Sequence, residues 1–231
     1  MNYDFFRLSI VESEALILSL KVAALATFCS LLPAIFCAYL LARGRFWGHA
    51  LLNVAVVLPL VLPPVVTGYA LLLLFGKHGS IGHALEACCG VSVSFRWTGA
   101  ALAAGVMSFP LMVRSIRLSF EAVDPRLEQA AEMLGADRIR TFCYITLPLA
   151  LPGIFAAIVL GMAKALGEFG ATIAFVANIP GETQTLSLAL YSELQVPNGE
   201  FAVFRLMMLS IILATGAIAL AEFLARKGKT L

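Results

Sequence analysis

Five apolar runs, at 15–42, 50–75, 98–116, 151–176 and 203–224, govern what this 231-residue chain can become. Each approaches or exceeds the roughly 20 residues that carry a helix across a hydrocarbon layer about 30 Å thick. That layer holds no water to satisfy a free N–H or C=O, so runs of this length are read as helices whose backbone bonds close within the segment. The sequence therefore predicts an all-α integral membrane protein with about five transmembrane helices. Composition agrees, with 61% hydrophobic and 13% charged residues, far from the average soluble domain. A formal net charge of +2 is too small to imply a nucleic-acid partner, and the lipid bilayer is the expected surrounding.

Prolines punctuate the second run. Pro59, Pro63 and Pro64 remove backbone donors, so the helix there is expected to bend or break. LPLVLP from Leu58 is echoed by LPLALP from Leu147, but nothing else around the two segments matches and no internal repeat is inferred. The opening MNYDFFRLSIVESE holds more acidic than basic residues. The apolar run behind it exceeds the ~7–15 residues of a signal core, so an uncleaved first span is expected, although Ala24 and Ala26 form a small-x-small pair. Cys29, Cys37, Cys88, Cys89 and Cys143 fit neither a disulfide framework nor a standard metal-ligand spacing, even with His78 and His83 near the adjacent pair.

Basic residues near the span ends set the expected orientation. With the N-terminus outside, the inner face receives Arg43, Arg45, Arg114, Arg117, Arg126, Arg138, Arg140, Arg226, Lys227 and Lys229. The outer face receives Arg7, Lys77, Arg96 and the span-edge Arg205, and the loop at 178–201 carries Glu182, Glu193 and Glu200 with no basic residue. The expected organisation is an external segment at 1–14, a transmembrane domain at 15–225 with an internal loop at about 119–150, and an internal tail at 226–231.

That internal loop is the informative interruption. Glu121, Asp124, Arg126, Glu128, Glu132, Asp137, Arg138 and Arg140 would be very costly in hydrocarbon. Asp124-Pro125 is a good helix start, with the carboxylate as N-cap and proline at the first helical position. Leu127, Ala130, Ala131 and Leu134 fall at i, i+3, i+4 and i+7, one narrow apolar face. Gly135 is the natural C-cap, because it takes positive φ without a Cβ clash. A second helical stretch is expected to place Ile139, Phe142, Cys143 and Thr146 on one side and to run through Pro148 into the fourth span. Two short helices hinged at a glycine suit a groove on another protein. The alternative is an amphipathic loop on the membrane surface, for which two alanines make a shallow stripe.

This segment resembles the E-A-A loop of the membrane subunits of bacterial ABC importers, in which E-A-A-x-x-x-G is followed after nine residues by I-x-L-P. Gln129, Ala130, Ala131, Gly135, Ile145, Leu147 and Pro148 stand in that register, with Gln129 in place of the leading Glu and Glu128 one position earlier. LPLVLPPVVTGY from Leu58, SFPLMVRSIR from Ser108, LGEFGAT from Leu166 and NIPGETQTLSLALY from Asn178 are similar to the permease subunits of molybdate importers; sulfate permeases are similar but generally longer. The resemblance implies a type I ABC importer permease fold at the bacterial inner membrane, a second copy of the chain, cytoplasmic ATPase subunits docked on the seven loop residues, and a periplasmic molybdate-binding protein. It implies alternating access, no enzymatic activity in this chain, and no cofactor of its own, ATP being bound by the partner subunit. Consistently, Gly228-Lys229-Thr230 echoes the end of a phosphate-binding loop, but Phe223 stands where that motif needs a glycine.

Ionisable and hydroxyl groups in the spans are the remaining candidates. Lys164 and Glu168, four apart and flanked by glycines, either border an oxyanion route or form an internal ion pair. Repulsion between Glu168 and a dianion favours the pair. Ser108, Thr172 and Thr67 either donate to a passing tetrahedral anion or bond their own helix backbone. Lys21, Arg114 and Arg117 are expected to reach the interfaces along their stems. Pro180-Gly181 and 197–199 are turn signals flanking a short helix expected at 186–195. An intramembrane enzyme would need a catalytic set inside the spans; no His-Glu-x-x-His motif occurs, and Asp124 and Asp137 both lie in the loop.

Overall fold

Ser9 and Glu12 start the first helix with a reciprocal cap. The Glu12 N–H donates to Ser9 Oγ at 3.2 Å and the Ser9 N–H to Glu12 Oε2 at 2.7 Å. The computed structural model describes residues 9–228 apart from 45, 91 and 198; Arg7, Arg45 and Lys229 lie outside the described residues. From its cap, α1 (Ile10–Arg43) runs for 34 residues, about 51 Å at 1.5 Å per residue, well beyond the hydrocarbon thickness. Then come α2 (His49–Val61), α3 (Pro64–Phe75), α4 (Ser80–Cys89), α5 (Trp97–Ala122), α6 (Pro125–Met133), α7 (Arg138–Thr141), a π-helical turn at Phe142–Thr146, α8 (Leu147–Leu166), α9 (Gly170–Val176), α10 (Leu186–Glu193) and α11 (Glu200–Gly228). Four helical segments among the described residues are long and apolar enough to cross a membrane, or five when the bent pair α2–α3 is counted as one span.

The central helix is α5, held between α1 and α8. Lipid tails are as apolar as leucine, so close approach of small residues replaces the hydrophobic drive between spans. Two apolar cores stack along the bundle accordingly. One joins Val22, Ala23 and Ala26 of α1 to Ala100, Ala103 and Ala104 of α5 and Phe175 of α9; the other joins Ala34, Ala38 and Leu41 to Met112, Ile116 and Phe120 and to Ala157 of α8.

Two of the five runs are not single straight helices. The second breaks at Leu62-Pro63 with a bend of 114°, because two consecutive prolines leave no N–H to continue the ladder. Its halves have 13 and 12 residues, each too short to span alone. The fourth differs from expectation. Instead of one helix over 151–176, the span is continuous from Arg138 to Leu166, then breaks at 167–169 and resumes as α9. The break is stabilised locally: Glu168 Oε1 accepts the Ala171 N–H at 3.0 Å, supplying a partner that the interrupted helix cannot.

The two broken runs lock together at their breaks. α9 packs on α3 so closely that a Cβ on Gly68 would lie 2.8 Å from Ala171 Cα, and one on Gly170 would lie 2.7 Å from Pro64 Cβ. At the end of the bundle holding the start of α1, the Leu186 N–H donates to Ser19 Oγ at 2.7 Å and Arg205 of α11 pairs with Glu12 at 2.6 Å. Between α9 and α10 the chain turns through Ala177, at φ +60° and ψ −161°, a region that side chains rarely occupy. A polar lattice holds the turn: Ile179 N–H to Thr183 Oγ1 at 2.9 Å and Asn178 Nδ2 to Ser192 Oγ at 2.7 Å. The expected short helix there is α10.

Candidate functional site

The loop between α5 and α8 is built from its caps outward. Asp124 Oδ1 accepts the Arg126 N–H at 2.9 Å and Pro125 opens α6. At the far end the Ala136 N–H bonds Ala131 O and the Gly135 N–H bonds Glu132 O, both at 3.0 Å, the paired bonds of a Schellman terminus. Gly135 sits at φ +89° with open space where a Cβ would be, so backbone conformation rather than crowding selects glycine. Asp137 then caps α7, accepting the Arg140 N–H at 2.7 Å.

The α6–α7 pair stands out from the bundle. Met133 and Leu134 are each 90% exposed and Ile139 is 75% exposed, an apolar tip on a charged helix. Of the seven residues singled out in this loop, Gln129, Ala130, Gly135 and Pro148 are exposed, whereas Ala131, Ile145 and Leu147 are half-buried. They form two groups: an outward-facing set on α6 and its cap, and a set at the root where the loop joins α8.

That root is not the regular helix expected. The π-helical turn at Phe142–Thr146 rotates the side chains relative to α-helical spacing, as such single-turn insertions do. Ile139 and Cys143 therefore face outward, while Thr146 is buried and Phe142 packs edge-on against Tyr39 with centroids 4.8 Å apart. Phe120 completes the aromatic cluster, 5.7 Å from Tyr39.

Glu128, which the pattern left one position out of register, fastens the loop. Its carboxylate lies 3.2 Å from Arg43 Nε at the end of α1 and accepts the Thr146 hydroxyl at 2.8 Å. Arg43 also donates to Val123 O at 2.8 Å. One carboxylate thus ties α6 to α1 and to the root of α8. No local signal could identify this role, since its partners are 85 and 18 residues away.

Within the spans, Lys164 Nζ and Glu168 Oε2 form an ion pair at 2.6 Å, with the Glu168 side chain almost fully buried. The carboxylate is doubly used, as counter-ion and as cap of α9. Ser108 is fully buried and donates to Gly105 O at 3.1 Å on its own helix. Thr172 is buried on α9, while Thr67 Oγ1 on α3 is buried with no hydrogen-bond partner among the described residues. Lys21 does not simply extend to an interface; its ammonium lies over the Trp97 ring, 3.7 Å from the centroid, a cation–π contact. Arg117 bonds Glu121 Oε1 at 2.7 Å and Asn53 Oδ1 at 3.3 Å.

A polytopic helical bundle with interlocked broken spans, carrying one helix pair with an exposed apolar tip, defines a multi-pass membrane protein. The chain belongs to the family of binding-protein-dependent transport system inner membrane components, whose model matches residues 31–229. It is 55% identical over 215 residues to the molybdenum transport system permease protein ModB of Escherichia coli (strain K12), covering 93% of this chain and 94% of that one. It is 52% identical to ModB of Haemophilus influenzae over 94% and 95% of the two chains. A solved bacterial alginate ABC transporter, in complex with its alginate-bound periplasmic protein, matches 98% of this chain and 83% of its own with a TM-score of 0.76 at 16% identity, a likeness of fold alone. The fold is that of type I ABC importer permeases.

Proposed function

We propose that the chain is the membrane-spanning permease subunit of an ATP-driven importer that moves molybdate across the bacterial inner membrane. The observation that carries this reading is identity above one half, across nearly the whole length, to permeases named for molybdenum transport. The working unit is two copies of this chain, cytoplasmic ATPase subunits seated on the α6–α7 pair, and a periplasmic binding protein that delivers the anion. The N-terminus faces the periplasm and the C-terminus the cytoplasm, as the distribution of basic residues favours.

Transport proceeds by alternating access. ATP-driven closure of the partner subunits draws the two α6 helices together, and the fastening through Glu128 passes that displacement to α1 and α8. A partner shifts such an equilibrium only as far as its affinity differs between the two states, so the Met133–Leu134–Ile139 tip must be held more tightly in one of them. Gln129, Ala130, Ala131 and Gly135 form the gripped surface, and Ile145, Leu147 and Pro148 set the entry of the loop into α8. Ser108, Lys164, Glu168 and Thr172 serve packing rather than passage: the first is bonded to its own helix and the ionised pair neutralises itself.

The test is ATP-dependent uptake into vesicles containing this chain with its partner subunits, comparing labelled molybdate, tungstate and sulfate. Molybdate is expected to be taken up in preference to sulfate. Preference for sulfate, or for a sugar or amino acid, refutes the substrate while leaving the architecture intact.

A further inference from the structure

A dianion crossing this bundle needs positive charge that is not already spent; apart from Arg126, Arg138 and Arg140 on the α6–α7 pair and Lys77 and Arg96 in the connectors, the described residues offer little. Lys164 is held by Glu168, Arg43 by Glu128 and Arg205 by Glu12. Arg117 is held by Glu121, and Lys21 lies on Trp97. Arg114 on α5 is exposed and has no carboxylate partner among the described residues. It stands eight residues before Ala122, the last residue of α5, about 12 Å along the helix.

Arg114 borders a cleft of about 250 Å³ between α2 and α5 whose wall is mostly apolar, Val56, Val57 and Leu60 among it, with Asn53, Arg117 and Glu121 as its other polar groups. That is room for several waters and for a small tetrahedral oxyanion that keeps part of its hydration. The cleft carries a net +1, two arginines against one carboxylate. Arg117 is braced by Glu121 and by Asn53 Oδ1, which leaves the Asn53 amide NH2 as an uncharged donor. A guanidinium presents paired N–H groups that match the edge of a tetrahedral oxyanion.

We propose that Arg114, supported by Arg117 and Asn53, is a binding station for the transported tetrahedral oxyanion in the cleft between α2 and α5. The inference rests on the proposed permease function and adds the place where the anion is met by the protein. A small net charge suits a station of passage, since conduction requires binding strong enough to admit the ion and weak enough to release it. This assignment sets aside Lys164, whose neighbour Glu168 would repel a dianion.

The experiment uses the assembled transporter in vesicles. Arg114→Gln is expected to lower labelled molybdate uptake about tenfold, the effect of losing one charge-assisted hydrogen bond, and Arg114→Lys to retain most of it. In a chain whose five native cysteines are replaced by alanine, Arg114→Cys is expected to regain uptake on modification with a positively charged methanethiosulfonate and not with a negatively charged one. Molybdate is expected to slow that modification equally in vesicles of neutral and of anionic lipid. Uptake by Arg114→Gln at the wild-type rate overturns the station. So does modification of the cysteine that is indifferent to molybdate, or that is slowed by anionic lipid instead, which assigns the arginine to a headgroup phosphate. If the wild type carries sulfate or tungstate but not molybdate, the substrate reading fails and the station is scored with the anion carried. Uptake of none of the three refutes both.

Discussion

Removing the Glu128 carboxylate should disconnect the gripped helix from the spans. An exposed ion pair is worth ~0–1 kcal/mol and breaking a fully buried one costs about 3–5 kcal/mol. The Arg43 and Glu128 side chains are 20% and 19% exposed, which places the loss between these limits, at about 2 kcal/mol. Thr146 is 1% exposed, and stripping its hydroxyl of an acceptor adds about 1 kcal/mol. Glu128→Ala therefore shifts the balance between fastened and released α6 by about 3 kcal/mol, a factor of somewhat over a hundred. Glu128→Gln keeps an acceptor for Thr146 and should lose only the ~2 kcal/mol charge contribution. Reconstituted complexes would be assayed for ATP hydrolysis and molybdate uptake in the same vesicles. Hydrolysis should persist while uptake per ATP falls, more steeply for Ala than for Gln, and adding Thr146→Val to Glu128→Ala should change little further. Unaltered uptake per ATP in Glu128→Ala refutes transmission through this carboxylate.

Three other outcomes follow from local geometry. Gly135→Val forces a β-branched residue to φ +89° and should cost about 1–2 kcal/mol of loop stability, seen as uncoupled ATP hydrolysis with normal membrane insertion, whereas Gly135→Asn should be mild. Ala177→Gly releases backbone strain of about 1–3 kcal/mol against a glycine entropy cost of about 0.5–1 kcal/mol, so the purified protein should melt at a higher temperature; a lower one would mean that the turn is unstrained. Lys164→Met leaves Glu168 buried without its counter-ion and should destabilise the protein more than the double replacement Lys164→Met with Glu168→Gln, as expected when one partner of a buried pair is removed alone; thermal unfolding of the two variants decides it.

What could be read in the sequence was whatever depends on near neighbours. Asp124-Pro125 and Gly135 carry their capping chemistry in their own residue types, the double proline at Pro63 and Pro64 announces a break, and the short helix α10 is framed by turn residues. The break after Leu166 was passed over because long apolar runs flank the Gly167-Glu168-Phe169-Gly170 stretch on both sides; there the Glu168 carboxylate turns to the Ala171 N–H and to Lys164. The π-helical turn was hidden because the 3.6-residue period groups Ile139 and Cys143 with Phe142 and Thr146. The fastening role of Glu128 depends on Arg43 and Thr146, which only the folded chain brings near. Arg114 looked like one more basic residue at an inner span end, and only the pairing of its neighbours sets it apart.

The interlock of α3 with α9 also has a bearing on biogenesis. Gly68 meets Ala171, a residue that leaves the ribosome about a hundred positions later, which at ~5–20 residues per second is a delay of about 5–20 s. For that interval neither half of the proline-broken pair is long enough to cross the membrane alone, and the neighbour it packs on is not yet made. Its final seating must therefore be a late event of synthesis, settled after the fourth span has entered.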